Sequence, residues 1–383
     1  MKMSKQKVNF VNPTKIHFGE FDAKVVSNKI SNRKFGFITT KSFKDSNVVQ
    51  DVLTSANYPP SFLICDVPAN PSVQYIDQVS KTLKGIPVEV IVALGGGSCI
   101  DSAKAIARIL LQEPGYSVED ILKAQKNGIS FESVPVIAIP TTTGTGSEVT
   151  PFSTIWDYDK KKKFSILGPD VFPEWALVFP ELSLKAPQHV MIASALDALS
   201  HSFESVWNNN ANSQTYIDSI TALKYLVPTL SNMSFEKPSI SDISNLAKGS
   251  LHAGLAISQT KTSIAHSISY PLTATYGLSH GLACSFTLAS IIDYALIQNF
   301  KSLRNILVNE DINLLSSYND FFSKLFGKSG ASKIFREKIP EARMIKELLP
   351  EMIYTERISN FALPINGKLL DSIISKSLKI MYT

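Results

Sequence analysis

Cysteine is scarce in this chain of 383 residues: Cys65, Cys99 and Cys284 are far apart, and no CxxC occurs. That excludes a disulfide framework and a cysteine-built zinc site, and it fits a reducing cytoplasm. Charge of one sign is also lacking. The net charge is +5, the lysines are scattered, and the one tight run, Lys160–Lys163, reads as a solvated turn. Nothing here builds a basic groove, so nucleic acid is not an expected partner. Long uninterrupted apolar runs are missing as well. The greasiest stretch, Leu282–Gln298, is interrupted by Ser285, Thr287, Ser290, Asp293 and Tyr294 and reads as a buried helix, not a membrane span. Met1–Phe10 carries lysines without an apolar core, so no signal peptide is expected. Fixed-period repeats, low-complexity tracts and a GxGxxG pattern are absent.

What is present is the composition of a folded protein, 44% hydrophobic and 19% charged, with enough length for two domains. The first half alternates buried strand patterns with helical ones. Phe35–Thr40, Ser61–Asp66, Val88–Leu94 and Val134–Ile139 are rich in β-branched or large apolar residues and predict strands; Ile100–Leu111 predicts a helix. Such alternation implies a mostly parallel sheet with helices on both faces. From Pro187 onward the strand patterns vanish and helical ones dominate, punctuated by Pro228, Pro238, Pro271, Pro340, Pro350 and Pro364. The expectation is an α/β domain over residues 1–184 and an all-α domain over residues 185–383, with a ligand site in a cleft between them.

Val88–Leu94 runs directly into Gly95, Gly96, Gly97 and Ser98, and then into a helix that carries Asp101 in its first turns. Glycines between a strand and a helix permit positive φ and let backbone amides approach an anion. The helix N-terminus adds unpaired donors suited to a pyrophosphate, although a tight packing turn would use the same residues. A second loop follows the next strand, and Thr141, Thr142, Thr145 and Ser147 there are candidates to line the same cofactor. Two such loops at the ends of neighbouring strands are where α/β sheets bind ligands.

Six histidines occur. Asp197 and His201 are spaced i, i+4 in a helical segment and share a face. His266 lies where a helix is expected to break before Pro271, and His280 opens the next apolar helix beside Gly281. Three imidazoles and a carboxylate suit Fe²⁺, Zn²⁺ or a related divalent ion. Histidines in apolar helices also serve as hydrogen-bonded core residues, and spacing alone leaves both readings open. His17, His189 and His252 lack such partners and read as structural or surface residues.

The segments GGGSCIDSAKAIA, PTTTGTGSEVTPF, ALDALSHSFES and AHSISYPLTATYGLSHG, in this order, resemble the iron-containing alcohol dehydrogenase family. The resemblance runs from about Val11 to Ile292. It implies a dinucleotide-binding α/β domain, a helical domain, and a metal held by Asp197, His201, His266 and His280. Many members of the family carry another histidine, linked to proton transfer, at the position of Tyr270; here the residue either lends a hydroxyl or shapes the pocket. Within the family, the segments TPFSTIWD, KKKFSILGPDVFP, SVWNNNANSQT and SYPLTATYGLSHG resemble the branch that reduces phosphonoacetaldehyde to 2-hydroxyethylphosphonate.

The resemblance therefore implies NAD(P)H-linked reduction of a phosphonate-bearing aldehyde. The candidate contacts for the anionic group are Lys163, Asn208 and Asn212, with Lys104 serving either substrate or cofactor. NAD-selective relatives tend to carry an acid at the position of Thr40. Thr40, followed by Lys41 and Ser42, leads us to expect NADPH to be accepted at least as well as NADH. The rival readings are a reductase of simple aliphatic aldehydes, a dehydroquinate synthase-like lyase, and a non-catalytic nucleotide-binding module. A cytoplasmic enzyme, forming a homodimer and needing no membrane, completes the expectation.

Overall fold

A computed structural model of the chain describes residues 10–129, 131–160, 162–353 and 357–382. Met1–Asn9, and so most of the segment read for a signal peptide, lie outside the described residues, as does Lys161. Contacts divide the chain after Ala186: Asn12–Ala186 form one compact unit, and Pro187 onward belongs to the other.

The α/β unit is organised by a six-stranded sheet in the order β1-β8-β5-β4-β2-β3, parallel at every pairing. Its strands are β1 (Lys15–Phe18), β2 (Phe35–Thr39), β3 (Phe62–Ile64), β4 (Val90–Gly95), β5 (Val136–Pro140) and β8 (Trp175–Val178). The four expected strands are all present, each slightly shifted. Every residue of β2, β4 and β5 is buried, because helices cover both faces of a parallel sheet. Edge strand β1 and short β8 escaped the sequence reading, as did the antiparallel hairpin of β6 (Phe152–Asp157) and β7 (Lys162–Leu167). The lysine run is therefore only partly a turn, since Lys162 and Lys163 begin β7. Gly95 pairs with Pro140 in the β4–β5 register, which sets the two suspected cofactor loops side by side.

The unit from Pro187 onward contains no named strand among the described residues. Its long helices are Gln188–Val206, Ser213–Asn232, Ile240–Thr260 and Gly367–Tyr382. Two expected breaks do not occur: Pro228 sits inside Ser213–Asn232, and Pro271 inside the helix Ile264–Tyr276. A proline costs a helix interior roughly 3 kcal/mol. Burial of Val227 and Leu230 beside one, and of Ile268 and Leu272 beside the other, offsets that cost. The stretch expected to form one helix is split by Phe286 and Thr287 into His280–Ser285 and Leu288–Ile297. His280–Ile297 is long and apolar enough to span a membrane by composition, but 72% of it is buried inside the protein.

Candidate metal centre and cofactor loops

Asp197, His201 and Glu204 project from one side of the Gln188–Val206 helix, following its i, i+4, i+7 spacing. His266 comes from the first turn of Ile264–Tyr276, and His280 starts the helix His280–Ser285. Gly281 brings the last of these close. A β-carbon there would stand 1.8 Å from the Ala193 carbonyl oxygen, so only glycine lets this short helix lie against Gln188–Val206.

The four residues expected as ligands do converge. Asp197 Oδ1 is 3.5 Å from His201 Nε2 and 3.5 Å from His266 Nε2. The His266 ring lies 4.8 Å from that of His201 and 5.1 Å from that of His280. Asp197, His201 and His266 are buried, yet Asp197 Oδ1 and His266 Nε2 have no hydrogen-bond partner. Buried acceptors are normally satisfied, because leaving one unpaired costs about 1–3 kcal/mol. A carboxylate oxygen and an imidazole nitrogen left open toward one point fit a divalent cation. Charge agrees with that fit. Burial alone would raise the Asp197 carboxyl, but the surrounding imidazoles, His201 foremost, hold it below the usual carboxylate range.

Two residues at this centre were missed by the sequence reading. Cys284 Sγ stands 3.7 Å from His280 Nδ1, and its donor atom lies within 4.8 Å of those of Asp197, His266 and His280. Glu204, fully buried, receives the His266 Nδ1 side at 2.5 Å. Their spacing carried the signal: Cys284 is one turn beyond His280, and Glu204 is three residues beyond His201. The Tyr270 ring stacks on that of His280, with centroids 6.0 Å apart and planes at 11°. Of the remaining histidines, His252 pairs with Asp218 at 2.9 Å and His17 packs on Phe179.

In the α/β unit, Gly96 caps and Gly97 begins the helix Gly97–Leu110. None of Gly95, Gly96 and Gly97 has positive φ, contrary to expectation. They are needed for close approach instead. A β-carbon on Gly97 would meet Thr145 Cγ2 at 2.6 Å, one on Gly96 would meet Thr142 at 3.2 Å, and one on Gly95 would meet Cys99 Cβ at 2.5 Å. The left-handed residue is Gly146, at φ 64° in the second loop. Thr141 N–H donates to the Gly95 carbonyl, and Ser98 Oγ accepts from Asn70 N–H. Thr40, Lys41 and Ser42 follow β2; Thr40 Oγ1 and Ser42 Oγ are 2.9 Å apart, and Lys41 is exposed.

Several expected ligand contacts have other occupations. Lys104 is buried and its ammonium donates to the carbonyls of Ser147, Thr150 and Phe152 at 2.5, 2.9 and 3.0 Å, so it staples the second loop rather than facing a ligand. Asp101 accepts from Ser147 Oγ and from Thr154 N–H, tying the hairpin to the helix. Asn208 donates to the Lys261 carbonyl and accepts from Asn210 N–H. Asn212 caps Ser213–Asn232 through a reciprocal pair with Thr215. These asparagines hold backbone, which residue type alone did not distinguish from ligand binding. Lys163 lies on β7 with its ammonium 5.7 Å from the Trp156 ring centroid.

Residues 13–180 match the family described as iron-containing alcohol dehydrogenase, and residues 191–324 match the C-terminal part of the same family. The chain belongs to the iron-containing alcohol dehydrogenase family. Phosphonoacetaldehyde reductase of Streptomyces viridochromogenes is 33% identical over 248 residues, which cover 63% of this chain and 62% of that protein. NAD-dependent methanol dehydrogenase of Bacillus methanolicus is 32% identical over 60% of each chain. The aligned stretch thus spans about three-fifths of these curated relatives' own length. Among solved structures, sulfoacetaldehyde reductase from Bifidobacterium kashiwanohense in complex with NAD⁺ superposes with a TM-score of 0.82 at 26% identity, covering 96% of this chain and 98% of that one. A 1,3-propanediol oxidoreductase, with a TM-score of 0.84 at 20% identity, shows the shared fold alone.

Proposed function

We propose that this chain reduces an aldehyde to a primary alcohol with NAD(P)H, and that its substrate is a two-carbon aldehyde bearing a phosphonate. The observation that carries the reaction class is the buried donor set in which Asp197 Oδ1 and His266 Nε2 have no hydrogen-bond partner. Asp197, His201, His266 and His280 would hold a divalent cation, for which we propose Fe²⁺. Such an ion supplies Lewis acidity toward a carbonyl oxygen. Tyr270, stacked on His280, shapes the space beside the centre. The amides of Gly96 to Ser98, at the start of Gly97–Leu110, would bind the cofactor pyrophosphate. Thr40 places no carboxylate beside a ribose 2′-phosphate, which supports use of NADPH.

The substrate assignment draws on the relatives. One is named for phosphonoacetaldehyde and another for sulfoacetaldehyde, both two-carbon aldehydes with an anionic tetrahedral group. A charge-assisted hydrogen bond to such a group is worth on the order of 1.5–3 kcal/mol, or roughly 10- to 150-fold in binding. Steady-state kinetics test the proposal: kcat/KM for phosphonoacetaldehyde should exceed that for propanal by at least about the lower of those factors. Lys163→Met should erase the advantage and leave propanal turnover nearly intact. Equal rates in the parent enzyme would instead support the reading as a reductase of simple aliphatic aldehydes. No net oxidation of NAD(P)H with any aldehyde would point to the lyase or to the binding module.

A further inference from the structure

Glu204 is a carboxylate with no exposed surface, and among the described residues its ion-pair partner is His266, not a lysine or arginine. Both of its oxygens are occupied by N–H groups of a single neighbouring segment. Oε1 accepts from Ala265 N–H at 2.6 Å and from His266 N–H at 3.1 Å; Oε2 accepts from Ser263 N–H at 3.0 Å. The fourth contact is His266 Nδ1, 2.5 Å from Oε2. Ser263 occupies the N-cap position of Ile264–Tyr276, but its side chain makes no capping bond. Glu204 supplies the cap from another helix, satisfying amides that the helix start would otherwise leave unpaired.

The ring of His266 is thereby held at both ends of its function. Nδ1 faces a carboxylate that can only accept, so Nδ1 carries a proton, and the opposite nitrogen, Nε2, is the one left open toward Asp197. Carboxylate–histidine pairs of this kind set which nitrogen meets a metal and in which orientation. We infer that Glu204 is a positioning residue of the metal centre: it fixes His266 as the Nδ1–H tautomer and aims Nε2 at the ion, while capping the helix that carries this ligand. This rests on the metal centre proposed above and adds a residue outside its donor set.

Glutamine is the discriminating substitution. Four N–H groups converge on the two oxygens of Glu204, so a Gln side chain must turn its own NH₂ toward donors in either amide orientation. The relief open to it is to move the His266 proton from Nδ1 to Nε2, which abolishes that nitrogen as a ligand. Zn²⁺ is the probe, measured by competition with a chromophoric chelator and by ¹⁵N spectra of the histidine rings in the zinc-loaded protein. Glu204→Gln should bind Zn²⁺ about 10- to 100-fold more weakly than the parent. Glu204→Asp, which keeps the acceptor but shortens the reach, should recover part of that loss. The parent spectrum should show His266 with a slowly exchanging Nδ1 proton and zinc on Nε2.

A purely helix-capping role would lower the melting temperature of the metal-free variant and leave zinc affinity unchanged, and that result would overturn the inference. So would zinc on Nδ1 of His266 in the parent, a measurement that decides the matter even if Glu204→Gln fails to fold. A parent protein that takes up no Zn²⁺ would remove the metal centre itself and the inference with it. Equal affinities of parent and variant would remove only the role of Glu204.

Discussion

A buried polar cluster around Lys104 in the α/β unit and another around Asp197 in the helical unit differ in whether they are complete. Around Lys104, the ammonium, the Asp101 carboxylate and the Ser147 hydroxyl satisfy one another and the carbonyls of Thr150 and Phe152. Around Asp197, three imidazoles and a carboxylate converge, but Asp197 Oδ1 and His266 Nε2, 3.5 Å apart, have no hydrogen-bond partner. Residue types would not separate the two, since both combine acids with bases on neighbouring turns. The distinction lies in unused hydrogen-bonding capacity. A closed network is a structural staple; an open one, at the desolvation cost of unpaired buried groups, is kept for a ligand.

The largest effects are expected at the open cluster. His280→Ala and Asp197→Ala should each purify without metal and without aldehyde reduction, and melt close to the metal-free parent. Metal analysis beside calorimetry checks this, and full occupancy in either variant would show the donor set to be wrong. At the closed cluster the effects should be reversed. Lys104→Met leaves several buried carbonyls without a donor and should lose on the order of 3 kcal/mol in urea unfolding while keeping its metal. An unchanged stability with a raised KM would return Lys104 to the ligand contacts.

Smaller effects sharpen the picture within the α/β unit. Thr40→Asp should shift the ratio of kcat/KM values from NADPH towards NADH, because a carboxylate there repels a 2′-phosphate. A parent enzyme with a strong preference for NADH would remove the basis for that expectation. Glu148, buried beside the staple, has its carboxyl pushed up by burial from its ordinary 4.5 to about 7, against the opposing pull of Lys104. A raised carboxyl pKa contributes stability that is complete below pH 4.5 and is lost as pH rises through about 7. Glu148→Gln should therefore flatten the decline in melting temperature across that window. Lys104, lowered by burial to about 8, titrates above it. A parent-like slope in the variant would assign the pH dependence elsewhere.

What could be read from the chain alone was local. Val88–Leu94 followed by Gly95, Gly96 and Gly97 announces a strand, a tight turn and a helix, because buried β-branched runs and glycines have few other uses. Asp197 and His201 share a face by helical geometry, and the order of four motifs placed His266 and His280 with them. Pairings between distant segments were beyond that reading. Only the tertiary structure decided that Glu204 reaches His266, that Gly281 rests on the Ala193 carbonyl, and that Lys104, Asn208 and Asn212 are spent on backbone. It also decided that Pro228 and Pro271 stay within helices. Propensity and spacing act over one or two turns, whereas hydrogen-bond satisfaction and packing are settled by whichever residues the fold brings within about 3–4 Å.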